Sequence, residues 1–190
     1  MNRNCIIIHG CPAVGEKAMD PKRRTYDKHW IPWTREELSR LGMKVETPLM
    51  PEPWHPVYGR FKDAFEQCDI RDDTVLVGTS CGTAFLVHWL GETKRTVAKL
   101  ILVAPWILAS RDNEYSRTFY DFEVDATIPD RVGEIVMFTS DDEKPKGIES
   151  LKLLHEAIGG RVINLPNHGH YMEKHMGTVE FPELVSVIMR

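Results

Sequence analysis

The sequence has no apolar run of membrane-spanning length, no low-complexity tract, no internal repeat and no linker-like stretch that would divide it. It has no excess of basic residues either. Lys and Arg number 24 against 28 Asp and Glu, a formal net charge of −4. A nucleic-acid footprint needs a clustered basic surface, so that class of partner is not expected; the missing apolar span argues in the same way against a membrane. Cysteine is scarce: Cys5, Cys11, Cys68 and Cys81 form no CxxC pair and no zinc-ribbon spacing. The apolar core of the first ten residues is too short for an export signal. The four cysteines are therefore expected as free thiols, and the protein in the cytoplasm. What remains is an ordinary globular composition, 42% hydrophobic over 190 residues, which fits one domain spanning 1–190.

Short runs that are apolar at successive positions occupy 5–9, 74–78, 99–104, 134–139 and 161–165, and a further strand is expected at 43–47. Such runs are strands buried on both faces, as in a parallel sheet. Helical patterns lie between them. One opens at Thr34, with Glu37 three residues on as a capping box and Gly42 as its stop. Others cover 60–67, 83–90, 147–158 and 180–189. The alternation predicts an α/β fold with a mainly parallel central sheet and helices on both faces. Two long loops interrupt it. The stretch 105–131 mixes acids with Trp106, Tyr115, Phe119, Tyr120 and Phe122. The stretch 10–29 carries Lys22, Arg23 and Arg24, read as a solvated basic cluster.

The sharpest motif is Gly78-Thr79-Ser80-Cys81-Gly82, a GxSxG that follows one strand directly and opens a helix. This is the context of a nucleophile elbow. The turn is tight enough that the positions two before and two after the serine cannot carry a side chain. It lifts the Ser80 hydroxyl above the sheet and aims a helix N-terminus at a developing oxyanion. A serine nucleophile needs a base, and the base needs an acid to orient it. Both should lie at the C-terminal ends of later strands. Asp141, Asp142 and Glu143 follow one such strand, with Glu143 expected as a solvated loop residue; His168 and His170 follow the next, with His170 preferred. The oxyanion donors are expected to be the backbone N–H groups of Cys81, directly after the nucleophile, and Cys11, in the loop after the first strand.

These residues resemble a known family, the small lidless serine hydrolases related to retinoblastoma-binding protein nine and the bacterial YdeN-type proteins. The likeness covers Ile6-Ile7-Ile8-His9-Gly10, His29-Trp30 with Pro32-Trp33, and the turn Pro48-Leu49-Met50-Pro51-Glu52-Pro53. It continues through the elbow, Leu100-Ile101-Leu102-Val103, Ser140-Asp141-Asp142 and Gly169-His170-Tyr171. The resemblance implies an α/β-hydrolase-like fold with a minimal lid, carboxylesterase-like activity and a triad of Ser80, His170 and Asp142. The sequence departs from the family in Thr79, where histidine is commoner, and in the longer 10–29 loop. It also departs in Pro145, one residue early when counted from Asp142, which keeps Asp141 in view.

The chemistry calls for no cofactor and for a small ester or other acyl substrate. Trp106, Ile107 and Leu108 follow the strand after the elbow and are expected to line its pocket. A metal-dependent hydrolase is the weaker reading of His168, His170 and His175, which have a ligand-like HxH spacing but lack the acid-histidine pair of a dinuclear site. A binding protein on a hydrolase scaffold is the other alternative, with the 105–131 aromatics as its surface for a protein partner.

Overall fold

Six strands form one sheet: β1 (Asn4–Ile8), β2 (Lys44–Glu46), β3 (Val75–Thr79), β4 (Val97–Val103), β5 (Val132–Thr139) and β6 (Arg161–Asn164). Their order is β2-β1-β3-β4-β5-β6, and every neighbouring pair is parallel. The computed structural model describes residues 4–12, 18–109 and 114–190. Parts of both long loops, 13–17 and 110–113, thus lie outside the described residues.

The reason for the sheet is visible in its side chains. Alternate positions feed two separate apolar layers, as the twofold period of a strand demands. Ile6, Ile8, Leu76, Leu100, Leu102 and Met137 point to one face. There they meet the helices α2 (Tyr58–Phe65), α3 (Cys81–Thr93) and α5 (Pro145–Ile158) through Phe61, Phe65, Phe85 and Leu154. Cys5, Ile7, Val75, Val77, Ile101, Val136 and Phe138 point to the other. Helices α1 (Ile31–Arg40) and α7 (Pro182–Met189) cover that face through Trp30, Leu38, Phe181 and Leu184. Each large side chain buried this way contributes roughly 1.5–3 kcal/mol.

Two short helices, α4 (Glu114–Phe119) and α6 (Glu173–Met176), lie where the sequence shows no helical period. The first helix also starts earlier than its capping box predicts. Trp30 is its N-cap, without a side-chain cap, and Pro32 sits in its first turn. Thr34 is buried inside the helix with its N–H donating to the Trp30 carbonyl at 2.9 Å. The buried Trp30 ring, edge-on to Phe181, fixes that start in place of a cap.

Because all six strands run the same way, their C-terminal ends share one edge of the sheet. The segments leaving β1, β3, β4, β5 and β6 there contain Gly10, Ser80, Trp106, Glu143 and His170. No described helix is long and apolar enough to cross a membrane.

Candidate active site

Ser80 stands between β3 and α3 at φ 52° and ψ −121°, a conformation that side-chain-bearing residues rarely adopt. Its N–H donates to the Val103 carbonyl at 3.0 Å, which ties the turn to β4. The two glycines of the motif are sterically required. A Cβ on Gly78 would meet the Gly82 carbonyl oxygen at 2.8 Å, and one on Gly82 would meet the Ile8 oxygen at 2.6 Å.

Ser80 is the first member of a line of hydrogen bonds. His170 Nε2 lies 2.9 Å from Ser80 Oγ, and His170 Nδ1 lies 2.7 Å from Glu143 Oε2. The carboxylate can only accept, so it fixes the imidazole as the Nδ1–H tautomer and leaves Nε2 to accept the serine proton. The Glu143 side chain is 1% exposed and that of His170 13%. The other carboxylate oxygen of Glu143 accepts the Lys144 N–H at 2.7 Å. Gly147 makes room for this acid: a Cβ there would lie 2.7 Å from Glu143 Cγ.

The expected acid, Asp142, does not reach His170. It accepts the Gly169 N–H at 2.7 Å and the Ser140 hydroxyl, and these bonds hold its carboxyl below the usual range. Asp141 accepts the Asn167 N–H at 2.8 Å. Both aspartates thus brace the backbone of the histidine loop. The turn closed by the Glu143 N–H on the Ser140 carbonyl directs the third acid inward, and the longer Glu side chain covers the remaining distance.

His168 is turned away, its Nδ1 donating to the Pro166 carbonyl at 2.8 Å. His175 props the loop from behind. Its Nδ1 accepts the His170 N–H at 3.0 Å, and its ring packs so close to Gly169, at φ +47°, that a Cβ there would meet it at 2.9 Å. Burial holds the His175 pKa down, in keeping with a ring that must be neutral to accept.

The loop after β1 closes the site from the other side. A Cβ on Gly10 would touch Ser80 Cβ at 3.2 Å. Cys11 and Cys81, expected as free thiols, are joined in a disulfide across a sequence separation of 70, with Cα atoms 5.6 Å apart. The pairing was hidden because only the β1–β3 register brings the two segments together. Cys5 and Cys68 remain free. The bond removes the free-thiol argument for a cytoplasmic location.

His9 anchors the same loop. Its Nδ1–H donates to the Gly10 carbonyl at 2.8 Å, and its Nε2 accepts the Met50 N–H at 2.9 Å. Burial lowers its pKa to about 4. The unfolded chain therefore takes up this proton first, and the stabilisation present at neutral pH declines as pH falls from about 6.5 towards 4, by roughly 3 kcal/mol for this residue. His29, His88 and His175, also shifted down by burial, add to the decline. Urea titrations across that range should show a shallower pH dependence in His9→Asn, whose side chain cannot charge; equal slopes would contradict this account.

A cavity of about 930 Å³ opens in front of Ser80 and His170. Trp106 lines it, with its indole edge-on to His170 at a centroid distance of 5.5 Å and its Nε1–H donating to the Leu108 carbonyl at 2.7 Å. Ile107 and Leu108 do not line it. The Ile107 N–H donates to Ser150 Oγ in α5 at 3.1 Å, and its side chain packs on the core. The chain turns from the cavity towards α5 directly after Trp106. The other 105–131 aromatics divide: Tyr120 lines the cavity, Phe119 is core and Phe122 stacks on His88. Tyr26, Trp30 and Lys144, which carry no pocket signal in the sequence, line it as well.

A family model described as "Serine hydrolase" matches residues 23–190. Among solved structures, the ydeN gene product of B. subtilis has a TM-score of 0.80 at 20% identity, covering 100% of this chain and 97% of that one. A YdeN-like hydrolase from Pectobacterium atrosepticum has a TM-score of 0.65 at 16% identity, covering 99% of this chain and 90% of that one. For Est1E from Butyrivibrio proteoclasticus the values are 0.66 and 14%, with 98% and 85% covered. At these identities the likeness is one of fold, the small α/β-hydrolase fold. No curated protein matches the chain in sequence.

Proposed function

Because the chain belongs to the serine hydrolase family, we propose that it hydrolyses esters of small substrates by acyl transfer to water, with Ser80, His170 and Glu143 as its triad. The observation that carries this reading is the continuous line from Ser80 Oγ through His170 to the buried Glu143 carboxylate, open to a cavity at its serine end. The replacement of Asp142 by Glu143 rests on that same line.

Ser80 Oγ bonds to the ester carbonyl carbon as its proton passes to His170 Nε2 and the carbonyl electron pair moves onto oxygen. The N–H groups of Cys11 and Cys81 receive that oxyanion, and the disulfide between the two residues holds the donors in register. The bond to the leaving alcohol breaks, and the alcohol takes the proton from His170. Water then attacks the acyl-enzyme, giving a proton to His170; the Ser80–acyl bond breaks, and Ser80 recovers its proton. The Glu143 carboxylate stabilises the transient imidazolium. Trp106 and Tyr120 provide apolar walls for the acyl chain.

The test is hydrolysis of p-nitrophenyl acetate and butyrate with and without a metal chelator. Turnover indifferent to the chelator is expected. Turnover that needs added zinc, or a folded protein inert to both esters, would overturn the reading.

A further inference from the structure

Ester hydrolysis does not require the charge pattern found at the mouth of this cavity. Among the described residues that line it, Arg23, Arg24 and Lys144 are cationic and none is a carboxylate. This runs against the composition of a chain whose formal net charge is −4. Arg24 is partly neutralised by Asp27, 2.9 Å away, and its guanidinium lies 5.9 Å from the Tyr26 ring centroid. Arg23 and Lys144 have no ion-pair partner among the described residues. They come from opposite sides of the fold. Arg23 lies in the loop after β1; Lys144 is the N-cap of α5, one residue beyond the triad acid. Their convergence on one cavity is a product of the tertiary structure. The same wall carries the aromatic rings of Tyr26, Trp30, Trp106 and Tyr120.

We propose that the substrates are esters whose acyl chain ends in a second, ionised carboxylate, which Arg23 and Lys144 bind while the chain lies along Trp106 and Tyr120. The inference rests on the serine-hydrolase reading and adds the substrate class. A guanidinium suits a carboxylate because its planar fork offers two parallel N–H donors, and an unpaired ammonium adds charge from the facing side. At about 930 Å³ the cavity falls within the range for small-molecule sites and has space for a chain of several methylenes. Cations in the wall, with no carboxylate among the described lining residues, also steer an anion inward. They touch a group remote from the reacting carbonyl, so their contribution appears mainly in KM.

The test compares the mono-p-nitrophenyl ester of adipic acid with the same compound methylated at its distal carboxyl. The leaving group and chain length are identical, and only the charge differs. The ratio of kcat/KM, charged over neutral, is expected to exceed about tenfold at low salt, the range of one charge-assisted hydrogen bond, and to shrink as salt is added. Arg23→Ala and Lys144→Ala should each lower that ratio several-fold; both residues are exposed, so the variants are expected to fold. A ratio near one with both esters turned over would overturn the substrate class and leave the serine hydrolase standing. A ratio that neither variant changes would overturn the assignment to these two residues. A folded protein inert to both esters would refute the hydrolase reading and the substrate class with it.

Discussion

Glu143→Gln is expected to lower kcat for a short ester by about 10³–10⁴-fold, while Asp142→Asn costs less than about tenfold. The contrast follows from what the two acids touch. Glu143 accepts the Nδ1–H of His170 at 2.7 Å in a nearly inaccessible position. A glutamine there keeps the shape but can present its NH₂ to the ring, which favours the tautomer with Nε2 protonated and unable to receive the serine proton. It also leaves the imidazolium without its counter-charge. Asp142, by contrast, holds the Gly169 N–H and the Ser140 hydroxyl, and an asparagine oxygen still accepts such bonds. Steady-state kinetics on the two variants, with circular dichroism to confirm folding, decides between them. A large loss in Asp142→Asn together with a small one in Glu143→Gln would show that the residue before Glu143 orients the base.

The second large effect lies at the nucleophile. Ser80→Ala and Ser80→Gly should each lower kcat/KM by about 10⁴-fold or more, since neither leaves an atom to form the acyl-enzyme. Their stabilities should differ. Alanine inherits the strained backbone at φ 52° and ψ −121°, whereas glycine adopts it freely. Strain of this kind costs on the order of 1–3 kcal/mol, and the extra freedom of glycine in the unfolded chain offsets roughly 0.5–1 kcal/mol of the relief. Ser80→Gly should therefore be the more stable of the two by about 1 kcal/mol, or roughly 2–4 °C in Tm. Calorimetry of the pair measures the energy stored in the elbow. Equal Tm values would mean that the turn holds no such strain.

The parts of the site that could be read in the sequence were those set by local constraint. The elbow is legible because Gly78 and Gly82 are forced by backbone contacts, and because a strand and a helix flank them. His170 is legible because it follows a strand whose C-terminal end must reach the same edge of a parallel sheet. Which carboxylate faces His170 was not legible, since three consecutive carboxylates follow β5 and only a turn decides which points inward. Pro145 sets the start of α5, and Gly147 leaves the space that Glu143 fills, but neither signal is interpretable before the helix is placed. The Cys11–Cys81 bond was hidden for a related reason: its partners meet through strand pairing rather than through spacing. The capping box at Thr34 misplaced a helix start that Trp30, buried against Phe181, determines through packing. The stretch 105–131 could not be assigned because core and cavity aromatics alternate there without a period.

The most direct test of the account is to treat the folded protein with a fluorophosphonate probe, digest it and locate the adduct by mass spectrometry. A single covalent phosphonyl group on Ser80, absent from Ser80→Ala, is the predicted result. A folded wild-type protein that stays unlabelled, or a label on any residue other than Ser80, would contradict the claim that Ser80 is the activated nucleophile.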